Sequence, residues 1–287
     1  KKVKIIECPR DAMQGIKSHF ISTEKKALYI NSLLKVGFDT IDFGSFVSPK
    51  AIPQMRDTAA VLAQLELSRT QSKLLAIIAN IRGANDAAQF EEIDYLGYPF
   101  SISENFQMRN THKTIAESIE TLEEILNIAD KSKKEVVAYL SMGFGNPYGD
   151  PWSVEIVGEW TEKLAAMGVG VLSLSDTVGT STPDIIDYLF SNLIPKYPQV
   201  EFGAHLHTTP TKWYEKIDAA YKAGCRRFDG AIQGFGGCPM AKDELTGNMP
   251  TEKMYSYFNT KKQNTNIRMG SFEAAFNSAS KIFTEFH

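Results

Sequence analysis

The sequence predicts a TIM (β/α)8 barrel with an additional C-terminal helix, and three observations support this fold class. Short runs of apolar and β-branched residues alternate with longer segments of helical period along almost the whole chain. Most of the short runs are hydrophobic nearly throughout, as parallel strands are when helices cover one face and a barrel interior covers the other. No linker, low-complexity segment or shift in composition divides the 287 residues. We therefore expect one TIM-barrel domain over residues 1–287 rather than two doubly wound domains.

The expected strands are spaced so that a helix fits between each strand and the next along the chain. Valine, isoleucine and phenylalanine recur in them, as is typical of strands. In order, the expected strands are residues 3–9, 40–46, 73–80, 98–103, 135–142, 169–176, 201–207 and 226–233.

Helix-capping residues mark the boundaries of several of the intervening helices. The segment STEKKALYINSLLKVG has Ser22 as its expected N-cap and Gly37 as its expected stop. In DPWSVEIVGEWTEKLAAMG we expect Asp150 to be the N-cap, Pro151 to lie in the first turn and Gly168 to end the helix.

Four more helices follow in the second half of the chain. Thr182 and Pro183 begin the segment TPDIIDYLFSNL, and the segment TKWYEKIDAAYKAG ends at Gly224. Another helix is expected from about Thr251, after the last strand. The tail SFEAAFNSASKIFTEF, residues 271–286, is amphipathic and would pack on the barrel or serve in self-association. A homodimer is the default expectation for such a barrel.

Composition and charge are those of a soluble globular protein. Hydrophobic residues make up 43% of the chain and charged residues 23%, and the net charge is -3. No basic block suggests nucleic acid or an anionic membrane as partner, and no apolar run is long enough to span a bilayer. The opening segment KKVKIIECPRDAM lacks the apolar core of a signal peptide. Cys8, Cys225 and Cys238 are few and irregularly spaced, so we expect free thiols and a cytoplasmic location.

Polar side chains lie where the predicted strands end. In TIM barrels the active site is built at the C-terminal ends of the strands, which surround one axis. The residues at these ends are Arg10 and Asp11, Asp42, Asn80, Ser103 and Glu104, Ser141, Asp176, His205 and His207, and Cys238. Carboxylates, imidazoles, a guanidinium and a thiol would therefore surround a single pocket.

The stretch GAHLHTT places His205 and His207 two positions apart in a predicted strand. Because alternate strand residues point to the same side, the two imidazoles either converge on one metal ion or are separate hydrogen-bonded residues. The other histidines, His19, His112 and His287, have no such neighbour and are expected at the surface.

Three further candidates have structural alternatives. Asp11 is either a metal ligand or the salt-bridge partner of Arg10. Cys238, in GFGGCP, is either a reactive thiol on a glycine-rich loop or a small apolar filler. Asn248, in TGN, is either a ligand or the N-cap of the next helix. Two imidazoles with a carboxylate and an amide oxygen would suit Mg²⁺ or Mn²⁺ better than a structural zinc ion.

Five motifs together resemble those of the hydroxymethylglutaryl-CoA lyases, which belong to a superfamily of metal-dependent TIM-barrel lyases and Claisen synthases. They are PRDAMQ (9–14), SFVSPKAIPQM (45–55), LSDTVGTSTP (174–183), HLH (205–207) and GFGGCPMA (234–241). The resemblance extends from the first strand to about residue 255, with the motifs in the expected order. Arg-Asp and His-x-His are shared across the superfamily, whereas the SFVSPK and GGCP motifs are more particular to the lyases.

The resemblance implies roles for individual residues. The implied metal ligands are Asp11, His205, His207 and Asn248. The residues implied around the reacting carbons are Arg10, Asp42, Asp176, His205 and Cys238. The residues associated with the acyl-CoA substrate are Lys17, Asn80 and Arg82.

The implied reaction cleaves 3-hydroxy-3-methylglutaryl-CoA to acetoacetate and acetyl-CoA by a retro-Claisen step. A divalent cation, Mg²⁺ or Mn²⁺, would bind the tertiary hydroxyl and lower its pKa. Asp176, Asp42 or His205 would remove the proton, and the sequence leaves these three open. Arg10 would stabilise the thioester enolate, and Cys238 would supply a proton to the acetyl-CoA carbon.

Four departures from the family pattern keep alternatives open. Asp42 stands where the family usually has Glu, Val137 where it often has Arg, and Thr208 where it commonly has Asp. The loop 241–248 is acidic and one residue longer than usual. These changes favour two alternatives: a lyase or condensing synthase with a different acyl or 2-oxo-acid substrate, and a homologue that binds a metal or ligand without turnover.

Overall fold

The strands close into a barrel in the computed structural model, which describes residues 2–237 and 245–286. In chain order they are β1 (Lys4–Glu7), β2 (Thr40–Ser45), β3 (Lys73–Ile77), β4 (Tyr95–Ser101), β5 (Glu135–Ser141), β6 (Val171–Ser175), β7 (Glu201–His205), β8 (His207–Thr208), β9 (Arg227–Gly230) and β10 (Gly247–Asn248). Strands β1 to β7 and β9 form the parallel barrel, which is closed where β9 pairs with β1. The predicted TIM barrel is confirmed, and every predicted strand overlaps one of these eight.

Helices cover the outside of the barrel. They are α1 (Pro9–Gln14), α2 (Thr23–Leu34), α3 (Thr58–Ala63), α4 (Ile81–Ala88), α5 (Glu104–Thr111), α6 (Ile115–Lys131), α7 (Val154–Met167), α8 (Pro183–Lys196), α9 (Trp213–Lys222), α10 (Thr251–Thr260) and α11 (Met269–Phe286). Two short 3-10 segments, η1 (Pro53–Met55) and η2 (Ile232–Gly234), lie in connecting loops. In the part of the chain that the structure describes, no helix has the length and apolarity needed to traverse a bilayer.

Several predicted helix boundaries are confirmed by the capping contacts. The Ser22 hydroxyl accepts a hydrogen bond from the amide of Lys25, and Thr182 caps α8 in the same way. Gly168 ends α7 with a φ of 107°, a left-handed conformation that glycine adopts without steric cost.

The prediction that Asp150 caps α7 is wrong. Ser153 is the N-cap, and its hydroxyl accepts from the amide of Ile156 at 3.1 Å. The Asp150 carboxylate instead accepts from the hydroxyl of Ser103 at 2.5 Å and from the amide of Asn105 at 3.0 Å. It therefore links the start of α5 to the loop before α7, a long-range contact that helix-capping rules cannot show.

The C-terminal helix α11 packs on the barrel rather than standing free. Phe283 is fully buried, with its ring stacked on Phe235 at 4.3 Å and edge-on to Tyr29 at 5.9 Å. Such a buried aromatic side chain contributes about 1.5–3 kcal/mol through the area it removes from water. The helix is therefore part of the folded barrel.

Inside the barrel, an apolar layer lies below the carboxyl ends of the strands. Its buried members are Leu75, Ile77, Tyr95, Val137, Tyr139 and Val171. Because this layer fills the barrel interior, the polar residues at the carboxyl ends of the strands are held in a fixed arrangement. Cys8 and Cys225 are buried free thiols, whereas Cys238 lies outside the described residues.

Candidate active site

A cavity of about 210 Å³ opens at the carboxyl ends of the strands. It is lined by Arg10, Asp11, Gln14, Ile77, Pro99, Tyr139, Ser141, Ser175, Thr177, His205, His207 and Gly237. Five of the predicted polar strand-end residues line this cavity, namely Arg10, Asp11, Ser141, His205 and His207, whereas the two predicted catalytic carboxylates, Asp42 and Asp176, do not.

Asp11, His205 and His207 converge at this cavity. One ligand atom from each side chain lies within 4.8 Å of the other two, a spacing that can hold a metal ion. The two histidines do not belong to one strand as expected, because β7 ends at His205 and His207 begins the separate strand β8. β8 pairs antiparallel with β10, and this short ladder sets His207 opposite Asn248.

The two imidazoles are held in different ways. His205 Nδ1 lies 2.8 Å from the Asp229 carboxylate, which accepts a hydrogen bond from Nδ1–H and leaves Nε2 available on the cavity side. Burial disfavours the charged form of His205, but the hydrogen bond and charge of Asp229 outweigh burial, so the pKa of His205 is raised. Asp229 was not among the predicted site residues, although an aspartate inside an otherwise apolar strand was a signal for it.

His207 has the properties of a neutral metal ligand. Burial, together with the charge of His205, lowers the pKa of His207 to about 4. Its Nδ1 lies 3.2 Å from the carbonyl oxygen of Thr177, and because a carbonyl only accepts, the lone pair is on Nε2. Within the described residues, this buried Nε2 has no hydrogen-bond partner. An orphaned imidazole nitrogen beside an aspartate is what a bound cation would satisfy.

Asn248 joins this centre through Asp11. Its amide donates to the Asp11 carboxylate and, at 2.8 Å, to the carbonyl of Phe235. The alternative role of Asn248 as a helix cap is wrong, because Pro250 occupies the N-cap of α10. Burial opposes ionisation of Asp11, but Arg10 and His205 more than compensate, and the pKa of Asp11 is lowered. An ionised carboxylate therefore stands between the two imidazoles and the amide.

Arg10 is bound mainly to Asp42 rather than to Asp11. Its Nη2 lies 2.6 Å and its Nε 3.1 Å from the Asp42 carboxylate, whereas Nη1 lies 3.5 Å from Asp11. Nη1 also donates to the Gln14 side chain at 2.9 Å. Burial raises the pKa of Asp42 above its ordinary value despite Arg10. Removing one partner of such a buried pair would leave an uncompensated charge and cost about 3–5 kcal/mol.

Asp176 lies behind the metal-ligand group. Its carboxylate accepts from the hydroxyl and amide of Ser181 and from the ammonium of Lys216, which is 3.1 Å away. Lys216, which is 2% exposed, was not among the predicted site residues. The available signal was its position in α9, one residue before the buried Ile217 on the apolar side of that helix.

Two glycines bring the chain close to the metal-ligand group just before Cys238. Gly236 has a φ of 90°, and a Cβ there would lie 2.8 Å from the Asn248 amide nitrogen and 2.8 Å from the carbonyl oxygen of Asp11. Gly237, with a φ of 112°, lines the cavity. Only glycine fits this approach without strain. Cys238 itself, a predicted catalytic residue, lies outside the described residues.

The three predicted substrate-binding residues lie at the edge of the site or outside it. Lys17 and Arg82 are exposed. Asn80 is the N-cap of α4, and its side chain accepts from the amide of Gly83 at 2.8 Å. Arg82 lines a neighbouring groove of about 310 Å³ and is paired with Asp86 at 3.1 Å. Lys17, Asn80 and Arg82 are therefore not among the residues that line the cavity.

Comparison with known proteins establishes the family. A family model described as HMGL-like matches residues 2–278. The chain belongs to the HMGL-like family. It is 32% identical over 270 residues to hydroxymethylglutaryl-CoA lyase YngG of Bacillus subtilis, with 94% of this chain and 89% of that protein covered. The HMG-CoA lyase structure from Brucella melitensis matches with a TM-score of 0.90 and 29% identity, over 98% of this chain and 99% of that one.

A third relative is described with ligands. The structure of an HMG-CoA lyase from Acenitobacter baumannii, in complex with coenzyme A and 3-methylmalate, matches with a TM-score of 0.88 and 29% identity. It covers 98% of this chain and 90% of that one. The resemblance to the lyases expected from the sequence motifs is thus confirmed.

Two departures from the pattern of HMGL-like proteins have local explanations in the structure. Thr208, where an aspartate was expected, is buried, and its hydroxyl donates to the carbonyl of Thr209 at 2.7 Å. Val137 is fully buried in the apolar layer and adds no charge to the cavity. The Thr208 hydroxyl therefore has a hydrogen-bond acceptor, and Val137 is packed among apolar side chains, so neither residue needs a charged partner.

Proposed function

We propose that this chain is a divalent-metal-dependent carbon–carbon lyase that cleaves 3-hydroxy-3-methylglutaryl-CoA to acetoacetate and acetyl-CoA. The observation that carries the proposal is the convergence of Asp11, His205 and His207 beside Arg10 in one cavity. Family membership supports the reaction class, and the relatives named above are lyases for this substrate. The chain would act as one catalytic domain over residues 1–287, in the cytoplasm and as a homodimer.

Asp11, His205, His207 and Asn248 would hold the cation, for which we propose Mg²⁺ or Mn²⁺. A hard or borderline divalent ion fits a donor set of one carboxylate, two imidazoles and one amide. When bound, the cation would act as a Lewis acid on the tertiary hydroxyl of the substrate. Asp11, with its lowered pKa, and the neutral His207 are both in the protonation state that ligation needs.

Arg10 would stabilise the enolate that forms when the carbon–carbon bond breaks. Its guanidinium is held on one side by Asp42 and by Gln14 on the other, so its orientation is set before substrate binds. Asp11 and Asp42 keep the arginine charged despite burial. A preorganised, permanently charged donor is what a developing oxyanion requires.

Of the three candidate bases, only His205 lines the cavity. Its Nδ1 is bonded to Asp229 and its Nε2 is a proposed metal ligand, so neither ring nitrogen is left to take the substrate proton, and we propose His205 as a ligand of the cation. The identity of the base stays a prediction. Asp42 is occupied by Arg10, and Asp176 by Lys216 and Ser181. We propose Asp42 and Asp176 as groups that orient their partners. Cys238 as the proton donor to acetyl-CoA stays a prediction.

The coenzyme A arm would lie in the groove beside the cavity. Phe46 and Phe90 stack there at 5.8 Å, and the basic side chains of Arg56 and Arg82 line the same groove. The aromatic pair offers a surface for the adenine base, and the two arginines offer charge for its phosphates. Lys17 and Asn80 stay predicted contacts of the substrate.

The test is turnover of 3-hydroxy-3-methylglutaryl-CoA by the purified protein with Mg²⁺ or Mn²⁺, followed as acetoacetate. We expect turnover in the wild type and its loss in His205→Ala and Cys238→Ala. His112→Asn is the matched control, because His112 is exposed and Asn tolerates its left-handed φ of 58°. Equal turnover in His205→Ala and the wild type would contradict the proposed site.

One observation favours a second candidate, cleavage of a related 3-hydroxyacyl-CoA without a free carboxylate. Among the described residues that line the cavity, Arg10 is the only arginine or lysine, and its guanidinium is already bonded to Asp42 and Gln14. A parallel assay with 3-hydroxy-3-methylbutyryl-CoA tests this. Higher kcat/KM for that ester than for 3-hydroxy-3-methylglutaryl-CoA would favour the second candidate.

A further inference from the structure

Lys216 is a lysine of α9 that is buried almost completely, at 2% exposure. Its ammonium donates to the Asp176 carboxylate at 3.1 Å, to the carbonyl of His207 at 2.7 Å and to the carbonyl of Gly179 at 3.5 Å. A lysine ammonium has three donors, and here each has an acceptor. Lysine is rarely buried, since its desolvation is costly unless it is paired and hydrogen-bonded.

The acceptors belong to the two loops that hold the His207 imidazole. One loop follows β6 and contains Asp176 and Thr177, whose carbonyl faces His207 Nδ1. The other is the segment after β7, in which His207 begins the short strand β8. Lys216 bonds to both, so it sets the distance between the main chain of His207 and the carbonyl that orients its ring.

The same two loops are joined at His205. The amide of Asp176 donates to the carbonyl of His205 at 3.0 Å, and the Asp176 carboxylate receives the amide and hydroxyl of Ser181. Asp176 is therefore fixed between the residue that ends β7 and the lysine of α9. Neither Lys216 nor Asp176 lines the cavity, which places Lys216 behind the ligands rather than among the reacting groups.

We propose that Lys216 is a positioning residue of the metal centre, which holds His207 Nε2 toward Asp11 by bridging Asp176 and the His207 carbonyl. The inference rests on the proposed metal centre. In proteins, groups that orient metal-ligating histidines change metal affinity by roughly 10- to 100-fold when they are removed.

The experiment measures the dissociation constant of Mn²⁺ by titration calorimetry, with no substrate present. We expect Lys216→Met to weaken Mn²⁺ binding at least about tenfold. The matched control is Lys222→Met, because Lys222 lies on the same helix in an exposed pair with Asp218 and should keep wild-type affinity. If both variants bind Mn²⁺ like the wild type, the proposal is overturned.

A double variant keeps the test decisive if Lys216→Met does not fold. Lys216→Met with Asp176→Asn removes both charges, so no buried carboxylate is left unpaired, while the bond to the His207 carbonyl is still lost. If the double variant folds and binds Mn²⁺ more weakly than the wild type, the result supports Lys216 as a positioning residue. If it folds and binds Mn²⁺ with wild-type affinity, the proposal is overturned. A wild type that binds no Mn²⁺ would instead overturn the proposed metal centre, and this inference with it.

Discussion

Glu7 offers a quantitative test of how burial controls ionisation in this barrel. It lies in β1 with no exposed surface, and it accepts hydrogen bonds from the amide of Ile232 at 2.8 Å and the hydroxyl of Thr251 at 2.6 Å. Burial raises the pKa of Glu7 to about 8, from an ordinary 4.5. The two bonds secure both ends of the segment that carries Asn248.

The direction of the pH effect follows from these two pKa values. Below pH 4.5, Glu7 is protonated in the folded and unfolded states, and its contribution to stability is fully present. Between that value and about 8, the folded protein retains a proton that the unfolded chain has lost. The free energy of unfolding therefore falls with rising pH by about 1.4 kcal/mol per unit, roughly 5 kcal/mol over the whole interval.

The perturbation is Glu7→Gln, which preserves size and can both accept from Ile232 and donate to Thr251. Urea unfolding of the wild type and the variant, with chelator present, is compared from about pH 5.5 to about pH 7.5. We expect the wild-type stability minus that of the variant to fall by roughly 3 kcal/mol over this range. A difference that does not change with pH would refute the reasoning, because Glu7 would then ionise at its ordinary pKa in the folded protein.

Three further predictions concern the active site. Asp229→Asn should weaken Mn²⁺ binding by about 10- to 100-fold in calorimetry, since the His205 ring loses the carboxylate that orients it; unchanged affinity would contradict this role. Arg10→Lys should lower kcat by about 10²–10³, with little change in Mn²⁺ affinity, because lysine lacks the planar, forked donor set that the guanidinium presents to the enolate. An equal loss of metal affinity would instead point to a role in ligation. Dialysis against EDTA should abolish turnover, and Mg²⁺ or Mn²⁺ should restore it; full turnover after metal removal would exclude a catalytic cation.

The fold was predictable because its signals are local. Hydrophobic runs and helical periods repeat along the chain, and closing eight such units into a barrel brings Arg10 and Asp11 next to His205 and His207. The same geometry explains why residues at strand ends could be proposed as a site without knowledge of the distances between them.

What could not be predicted depends on long-range contacts. Asp176 reads as a catalytic carboxylate from its place at a strand end, yet its partner Lys216 lies 40 residues along the chain. Asp150 matches the pattern of a helix cap, yet it bonds to Ser103, 47 residues before it. In both cases the carboxylate is stabilised by a partner that lies too far along the chain for a local sequence pattern to show it.

The metal centre is tested most directly by the position of a bound Mn²⁺ ion. Anomalous diffraction from crystals grown with Mn²⁺ should show one peak within bonding distance of the carboxylate of Asp11 and of Nε2 of His205 and His207. The structure also contains a second candidate group, formed by Cys8, His205 and Asp229. A peak at that group, or no peak at saturating Mn²⁺, would contradict the proposed metal centre.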